Sequence, residues 1–199
     1  MSTLNELYRE IAACQRCALH KTATRAVPGE GPEDARLMFI GEGPGFHEDQ
    51  QGRPFVGAAG QFLEALLASI NLKRQQVYIT NVVKHRPPDN RDPLPGEVAA
   101  CRPWLDQQIV LIKPKLIVTL GRHSMEKFFP GKTISKIHGT AYKKDGVTYF
   151  AMYHPAAALH QQSLRQAIEA DMLKIPALLA EAVAEEEIPE HEPQQLNLF

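Results

Sequence analysis

The fold is decided by the stretch RLMFIGEGPGFHEDQQGRPFVG, residues 36–57. It opens with a short apolar run that ends in Gly41 and is typical of a buried strand in a parallel sheet. From Gly41 to Gly57 it holds five Gly and two Pro, so we expect a long loop at the carboxyl end of that strand. Loops at this position carry the functional sites of α/β folds.

The segments on either side continue the alternation of strands and helices. Apolar residues at helical spacing follow the loop, and an apolar run from Val77 follows them, which completes a βαβ unit. The expected strands are 36–41, 77–83, 115–121 and 147–154, and the expected helices are 2–13, 61–70, 96–112 and 164–183, the last interrupted at Pro176. This order predicts a parallel sheet covered on both faces.

Composition excludes several classes of protein. The chain has 199 residues, 44% of them apolar, which suits one domain with a buried core. The 22 Lys and Arg nearly balance the 23 Asp and Glu, which argues against disorder and against a basic coat for nucleic acid. The sequence has no run of 18 apolar residues and no basic-then-apolar leader, so we expect a cytoplasmic protein without a membrane partner.

Four residues that could form a site lie at or just beyond the ends of the expected strands: Glu42, Asn81, Gly121 and His154. Taken singly, an Asn or His at a strand end more often caps a turn. Because the carboxyl ends of parallel strands meet at one edge of a sheet, their conjunction predicts a crevice with a site.

The three cysteines predict a metal or redox centre. Cys14 and Cys17 are separated by two residues, and Cys101 lies far along the chain. An odd number of cysteines in a reducing compartment points away from a disulfide framework.

Four motifs resemble, in order and spacing, the family 4 uracil-DNA glycosylases, the iron-sulfur members of the uracil-DNA glycosylase superfamily. They are GEGPGFHEDQQGRPFVGAAG (41–60), TNVVKHRPPDNRDP (80–93), EVAACRPWL (97–105) and HPAAAL (154–159). The resemblance runs from about Leu4 to Lys174 and implies a three-layer αβα fold around a four-stranded parallel sheet. It also implies hydrolysis of the N-glycosidic bond of deoxyuridine in DNA. Composition and periodicity alone predict only a single α/β domain.

The resemblance assigns roles within the crevice. Glu42 positions or activates water and favours an oxocarbenium-like sugar, while His154 donates a hydrogen bond to uracil O2. As the bond breaks, positive charge develops on the sugar and negative charge on the departing uracil. Asn81 reads uracil O4 and N3–H, Phe55 stacks on the flipped base, and the remaining uracil-binding positions are Gly43 and Glu48. The alternatives are that Phe55 anchors the loop, that Gly43 only permits a turn, and that Glu48 caps a helix or orders the loop instead of excluding thymine.

The family pattern has a further Cys where this chain has His85. We expect Cys14, Cys17, His85 and Cys101 to hold a [4Fe-4S] cluster, since His can replace Cys as an iron ligand. One alternative is a Cys3His zinc site. The other is that His85 takes no part and the fourth iron position stays open.

DNA binding should depend on phosphate contacts from local Lys and Arg. The candidates in loops or at helix starts are Arg53, Lys84, Arg86, Lys132, Lys136 and Arg165, although each could be an ordinary surface charge. By resemblance, Leu159 is an apolar wedge that fills the gap left by a flipped base, with His160 beside it. Burial of Leu159 under the last helix is the alternative.

The sequence divides into a glycosylase domain over residues 1–182 and an acidic, Pro-bearing tail over residues 183–199. The last five residues resemble the pentapeptide that binds the bacterial sliding clamp; the contacts expected are those of Gln195, Leu196, Leu198 and Phe199. We therefore expect a monomeric, monofunctional uracil-DNA glycosylase of base-excision repair that is tethered to the clamp. The rival is a non-catalytic iron-sulfur or zinc module that binds DNA.

Overall fold

A five-stranded sheet forms the centre of the structure, a computed structural model in which residues 3–159 and 161–185 are described. The strands are β1 (Leu37–Gly41), β2 (Tyr78–Asn81), β3 (Leu116–Leu120), β4 (Ala141–Lys144) and β5 (Val147–Met152). Their order is β2-β1-β3-β5-β4, with the first four parallel and β4 antiparallel to β5 at the edge. The four expected strands are present, but the expectation of a four-stranded, wholly parallel sheet is wrong.

The additional strand β4 belongs to a hairpin with β5. The two residues between them, Asp145 and Gly146, both have positive φ, 51° and 73°, as the two-residue turns that suit a hairpin require. The strand is short, with the sequence AYKK, and is mostly exposed, so it lacks the apolar alternation that marks a strand. Its two lysines are typical of an edge that resists pairing with other chains.

Eight α-helices are present in the described part of the chain. They are α1 (Leu4–Ala12), α2 (Phe46–Gln51), α3 (Ala58–Ser69), α4 (Pro95–Ile112), α5 (Arg122–Glu126), α6 (Ile134–Ile137), α7 (Gln162–Met172) and α8 (Ile175–Ala184). Helix α1 begins at a capping box in which Thr3 and Glu6 bond each other's backbone N–H groups. The expected last helix is two helices, since Pro176 lies in the first turn of α8. Helix α2 interrupts the segment expected to be a continuous loop.

The two faces of the sheet are covered by separate apolar clusters, which gives three layers. Along β1, Met38 and Ile40 face one side and pack in the cluster that contains the apolar residues of α1 and α4. Leu37 and Phe39 face the other side, with the apolar residues of α3, α7 and α8. All five residues of β1 are buried, as expected for a strand covered on both faces.

None of the helices in the described ranges combines the length and the apolar character that crossing a bilayer requires.

Candidate active site

A cavity of about 310 Å³ opens at the carboxyl edge of the parallel strands. Its walls include every residue that the sequence predicts for catalysis or base binding: Glu42, Gly43, Glu48, Phe55, Asn81 and His154. The sheet register explains this convergence, because Gly41 at the end of β1 pairs with Asn81 at the end of β2. The structure thus brings together residues that are up to 112 positions apart, from Glu42 to His154.

Asn81, which lines the cavity, has an unsatisfied side-chain acceptor. Its side chain is buried, and Asn81 Oδ1 has no hydrogen-bond partner. Across the described residues, only one other buried side-chain N or O atom lacks a partner, His85 Nδ1. An orphaned buried acceptor costs about 1–3 kcal/mol, so a donor from a bound molecule is the natural partner for Asn81.

Two glycines make room for these side chains. A Cβ built on Gly41 would lie 2.6 Å from Phe55 Cζ and still closer to Asn81 Oδ1. Gly121 has a φ of +89°, and a Cβ there would lie 3.0 Å from His154 Cβ. Residues with side chains would displace Asn81, Phe55 or His154, so the glycines at the strand ends shape the cavity.

His154 is neutral, and its tautomer is fixed. Desolvation lowers the pKa of His154 to about 4. The backbone N–H of Ala156 donates to His154 Nδ1 at 3.1 Å, which makes Nδ1 the acceptor and leaves the proton on Nε2. The imidazole stacks on the Phe55 ring with centroids 5.5 Å apart. His154 can therefore donate one hydrogen bond from Nε2 without carrying a charge.

The loop that carries Phe55 is held by a buried arginine. Phe55 has a φ of +51°, which a non-glycine residue adopts only when its surroundings impose it. Arg74, buried near the start of β2, donates from Nη1 to the Phe55 carbonyl at 2.8 Å and from Nη2 to the Pro54 carbonyl. Arg74 also contacts the carboxylate of Glu30 at 3.3 Å. Sequence reasoning missed Arg74, which lies in a polar segment without a motif.

The Glu48 carboxylate is occupied by backbone donors. Glu48 Oε1 accepts from the N–H groups of Val56 and Gly57, each at 2.8 Å, and Oε2 accepts from the Gly45 N–H at 3.1 Å. These bonds fasten the start of α2 to the turn before α3. This geometry favours the loop-ordering alternative for Glu48 over direct contact with a base.

Glu42 lies beside a group of charges that the sequence analysis missed. Its carboxylate is 3.8 Å from His123 Nε2, which is 3.5 Å from Asp92 Oδ1, and Arg122 also bonds Asp92. Desolvation raises the pKa of Glu42; His123 and Arg122 oppose the rise, and Asp92 adds to it. Asp92 lies in the quoted second-strand motif, but His123 and Arg122 follow β3, where only Gly121 was singled out.

A second group of predicted residues lies between α1, α4 and the end of β2. Cys14 and Cys101 are buried and Cys17 is partly exposed; all three are free thiols. The indole N–H of Trp104 donates to Cys14 Sγ at 3.2 Å, and the backbone N–H of Lys84 donates to Cys101 Sγ at 3.3 Å. Burial raises the pKa of Cys101 to about 11, so a thiolate there needs a neighbouring cation.

The predicted metal ligands do not form a close group of three in the described part of the chain. Cys14, Cys17, His85 and Cys101 all lie within the described ranges, yet no three of their ligand atoms come within 4.8 Å of one another. Tetrahedral zinc with Zn–S bonds near 2.3 Å requires sulfur atoms roughly 3.8 Å apart. A multinuclear cluster fits a wider set of ligands. By contrast, the potential ligand atoms of Glu42, Asp92 and His123 all lie within 4.8 Å of one another.

The predicted DNA-binding residues differ in their surroundings: some are paired with carboxylates, one lines a separate depression and one is buried. Arg53 is paired with Glu30 at 2.8 Å, and Arg165 is paired with Glu169 at 2.9 Å. Lys132 lines a separate depression beside Asp92 and His123. The expectation that Lys84 contacts phosphate is wrong, because Lys84 is fully buried.

Two further candidates, Arg86 and Leu159, are close in sequence to residues that line the cavity. Arg86 precedes Pro87, which lines the cavity, and Leu159 is 46% exposed, which excludes the alternative of burial. Lys136 is exposed on α6. His160 and the predicted clamp contacts Gln195, Leu196, Leu198 and Phe199 lie outside the described residues.

Comparison with known proteins gives a consistent set of relatives. The sequence profile of the uracil DNA glycosylase superfamily matches residues 28–177. A type-4 uracil-DNA glycosylase of Sulfurisphaera tokodaii is 48% identical over 188 residues, with 89% of this chain and 86% of the relative covered. A protein of the same name from Archaeoglobus fulgidus is 47% identical, with 89% of this chain and 94% of the relative covered. Another from Saccharolobus solfataricus is 44% identical, with 90% of this chain and 88% of the relative covered.

Proposed function

This chain belongs to the uracil DNA glycosylase superfamily, as its motifs predict, and we propose that it releases uracil from DNA by hydrolysing the N-glycosidic bond of deoxyuridine. The observation that carries the proposal is the orphaned Asn81 Oδ1 in a cavity that also holds Glu42 and His154. The product is an abasic site, the entry point of base-excision repair. The rival, a DNA-binding module without catalysis, gives no reason for an unsatisfied amide beside a carboxylate and a neutral imidazole.

Asn81 and Phe55 have the chemistry to select the flipped base. The unpartnered Oδ1 of Asn81 can accept the uracil N3–H, and the NH2 of the same amide can donate to O4. Cytosine presents the opposite pattern, an acceptor at N3 and a donor at N4, so it would leave Asn81 Oδ1 without a donor. Arg74 holds the backbone carbonyl of Phe55, and the Phe55 ring, stacked with His154, offers a face for the base.

His154 and Glu42 act on the two charges that form when the C1′–N1 bond breaks. The bonding electrons leave with uracil, and the Nε2–H of neutral His154 donates to O2 of the departing anion. On the sugar side, the Glu42 carboxylate stabilises the cationic C1′ and accepts a proton from the water that adds there. Desolvation raises the pKa of Glu42 and makes it the stronger base. The strand stays intact, since no step requires a lysine Schiff base.

We propose that Glu48 acts through the loop and does not touch uracil. Its carboxylate already accepts three backbone N–H groups. Gly43 would contribute its backbone and the space that its missing side chain leaves, because a Cβ there would lie 2.8 Å from Val83 Cγ2. Glu48 and Gly43 would then shape the cavity in which Asn81 and Phe55 contact the flipped base.

For the metal, we propose a [4Fe-4S] cluster held by Cys14, Cys17, His85 and Cys101. The buried and unpartnered Nδ1 of His85 supports an imidazole ligand, and the wide spacing of the set argues against the zinc alternative. The cluster would supply a structural crosslink between α1, α4 and the segment after β2. The residues at the cavity carry out the bond-breaking steps, and the cluster takes no part in them.

The partners proposed are uracil-containing DNA and the bacterial sliding clamp, with the enzyme as a cytoplasmic monomer. The clamp contact depends on the sequence QLNLF at residues 195–199. Attachment through a tail such as residues 183–199 would raise the effective concentration of the enzyme near DNA. Deleting residues 195–199 should abolish clamp binding and leave excision from a short oligonucleotide unchanged.

The function is tested by alkali-revealed cleavage of a uracil-containing oligonucleotide, with a thymine oligonucleotide as control. Wild-type protein should cleave only the uracil strand and only after alkali. Asn81→Ala should lose excision, while Gln61→Ala, an exposed amide on α3, should retain it. Equal rates for wild type and Asn81→Ala would show that this amide does not read the base. Inactive wild type with its full metal content would support the DNA-binding module.

A further inference from the structure

An exposed aromatic ring stands next to the cavity and has no part in the chemistry above. Phe46 is the first residue of α2 and follows Gly45, which lines the cavity. It remains 51% exposed. Because removing apolar surface from water is favourable, a half-exposed phenylalanine at this place keeps a large apolar surface available to a partner.

Arg86 gives this ring a cationic neighbour. Its guanidinium carbon lies 5.2 Å from the centroid of the Phe46 ring, and its Nε donates to Asn90 Oδ1 at 2.7 Å. Pro87 and Asn90 both line the cavity. The ring at the start of α2, after β1, and the guanidinium on the segment after β2 are therefore in contact with each other and adjoin residues of the same cavity wall.

We propose that Phe46 and Arg86 form a platform on which the base next to the flipped uridine stacks. This inference rests on the proposed function. Withdrawing a nucleotide into the cavity uncovers the π-face of its neighbour in the strand, and the neighbour must stay near the opening because the backbone connects them. An exposed aromatic ring beside an arginine binds such a face whatever the base, and the guanidinium meets the adjoining phosphate.

The platform differs in place from the predicted wedge at Leu159. Leu159 ends the segment that follows β5 and His154, whereas Phe46 follows β1. The cavity lies between the two segments, since its walls include Gly45 from one and Ala156 from the other. Leu159 would fill the gap in the duplex, and the platform would hold the neighbouring base on the strand that contains uracil. Only the wedge requires a second strand, so the platform should also act on single-stranded DNA.

The test uses single-stranded oligonucleotides with a stable abasic-site analogue and the fluorescent base 2-aminopurine on its 5′ or its 3′ side. Wild-type protein should quench the fluorescence on one side. Phe46→Leu keeps an apolar side chain but should lose the quenching and weaken binding roughly fivefold to 150-fold, the range for stacking on an aromatic side chain. Phe46→Tyr should retain both. Val110→Ala, at an exposed apolar residue on α4, is the matched control.

Arg86→Gln separates charge from stacking. It should lower the dependence of log Kd on log salt by about 0.7, the value for one phosphate contact to a single strand. Phe46→Leu should leave that slope unchanged. No quenching by wild type on either side, or equal quenching and Kd for wild type and Phe46→Leu, would overturn the platform. A platform that serves a protein partner would give this second result.

Failure of the platform and failure of the proposed function are distinguishable. Binding to the abasic-site oligonucleotide requires no excision, so the platform is measured even in a protein that cleaves nothing. If uracil is excised normally while Phe46→Leu changes neither binding nor quenching, only the platform is wrong.

Discussion

The acid limb of the pH profile should move in opposite directions when two neighbours of Glu42 are changed. Glu42 acts as a base only when ionised, and desolvation raises its pKa. Activity is therefore lost as the pH falls through that raised pKa. Asp92 raises it further and His123 lowers it. Asp92→Asn should shift the acid limb of kcat/KM to lower pH, and His123→Gln should shift it to higher pH.

The size of the shift follows from the distances. The Glu42 carboxylate lies 3.8 Å from His123 Nε2, and the ligand atoms of Glu42, Asp92 and His123 lie within 4.8 Å of one another. Unit charges about 4 Å apart interact by about 1 kcal/mol in water and about 4 kcal/mol at an effective dielectric constant of 20. Because the Glu42 side chain is 31% exposed, the lower part of that range applies. At 1.36 kcal/mol per pKa unit, each variant should move the limb by roughly one pH unit.

The assay is initial-rate excision of uracil between pH 4 and pH 8, since kcat/KM reports the groups of the free enzyme. Glu126→Gln is the control: it removes one negative charge from the exposed end of α5 and should leave the limb in place. Raising the salt concentration should shrink both shifts by screening. If Asp92→Asn and His123→Gln move the limb in the same direction, or neither moves it, Glu42 is not the group that titrates.

Three further predictions concern the cavity, its support and the metal. Gly41→Ala should abolish excision in a folded protein, because the added Cβ would overlap the Phe55 ring; normal uracil affinity by calorimetry would contradict this. Arg74→Met should lower the free energy of unfolding by about 3 kcal/mol, since two buried carbonyls lose their donors; urea denaturation beside exposed Arg102→Met checks it. His85→Ala should reduce iron content and visible absorbance, and His85→Cys should restore them; unchanged iron in His85→Ala would show that the imidazole is no ligand.

The central strands were predictable because a strand that is buried on both faces has a continuous run of apolar residues. The runs at Leu37 and Leu116 have this character, and both strands are completely buried. The edge strand β4 has no such run, because its residues are mostly exposed. The turn before β5 could nevertheless be predicted, because Asp145-Gly146 is a dipeptide favoured by tight hairpins. This dipeptide was the feature of the sequence that indicated a fifth strand.

The cavity was predictable only where a residue sits at the end of a strand or in a motif. Asn81 and His154 meet both conditions, and the structure brings them to one opening. Arg74 and His123 meet neither condition. Each acts across a distance in sequence, Arg74 on carbonyls 19 and 20 residues earlier and His123 on a carboxylate that follows a different strand. Such contacts depend on how loops fold back on the sheet, which local patterns do not encode.

Lys84 connects the proposed metal centre to Asn81, the residue proposed to read the base. Its buried ammonium nitrogen donates to the Asn81 carbonyl and to Gln108 Oε1, each at 2.7 Å. Its backbone N–H donates to Cys101 Sγ at 3.3 Å, and the next residue is His85. Lys84 thus holds the Asn81 carbonyl on one side and Cys101 Sγ on the other, and it directly precedes His85 in the sequence.

This linkage also accounts for a lysine where the sequence suggested a phosphate contact. A fully buried lysine without a carboxylate partner is costly, and burial lowers the pKa of Lys84 to about 7. The bonds that compensate come from β2 and α4, the elements that the cluster would join. Disturbing the cluster should therefore move Cys101 and α4, then Lys84, and through the Asn81 carbonyl the amide that reads uracil. Through the two bonds of Lys84, to Cys101 Sγ and to the Asn81 carbonyl, the proposed cluster would influence base recognition without entering the reaction.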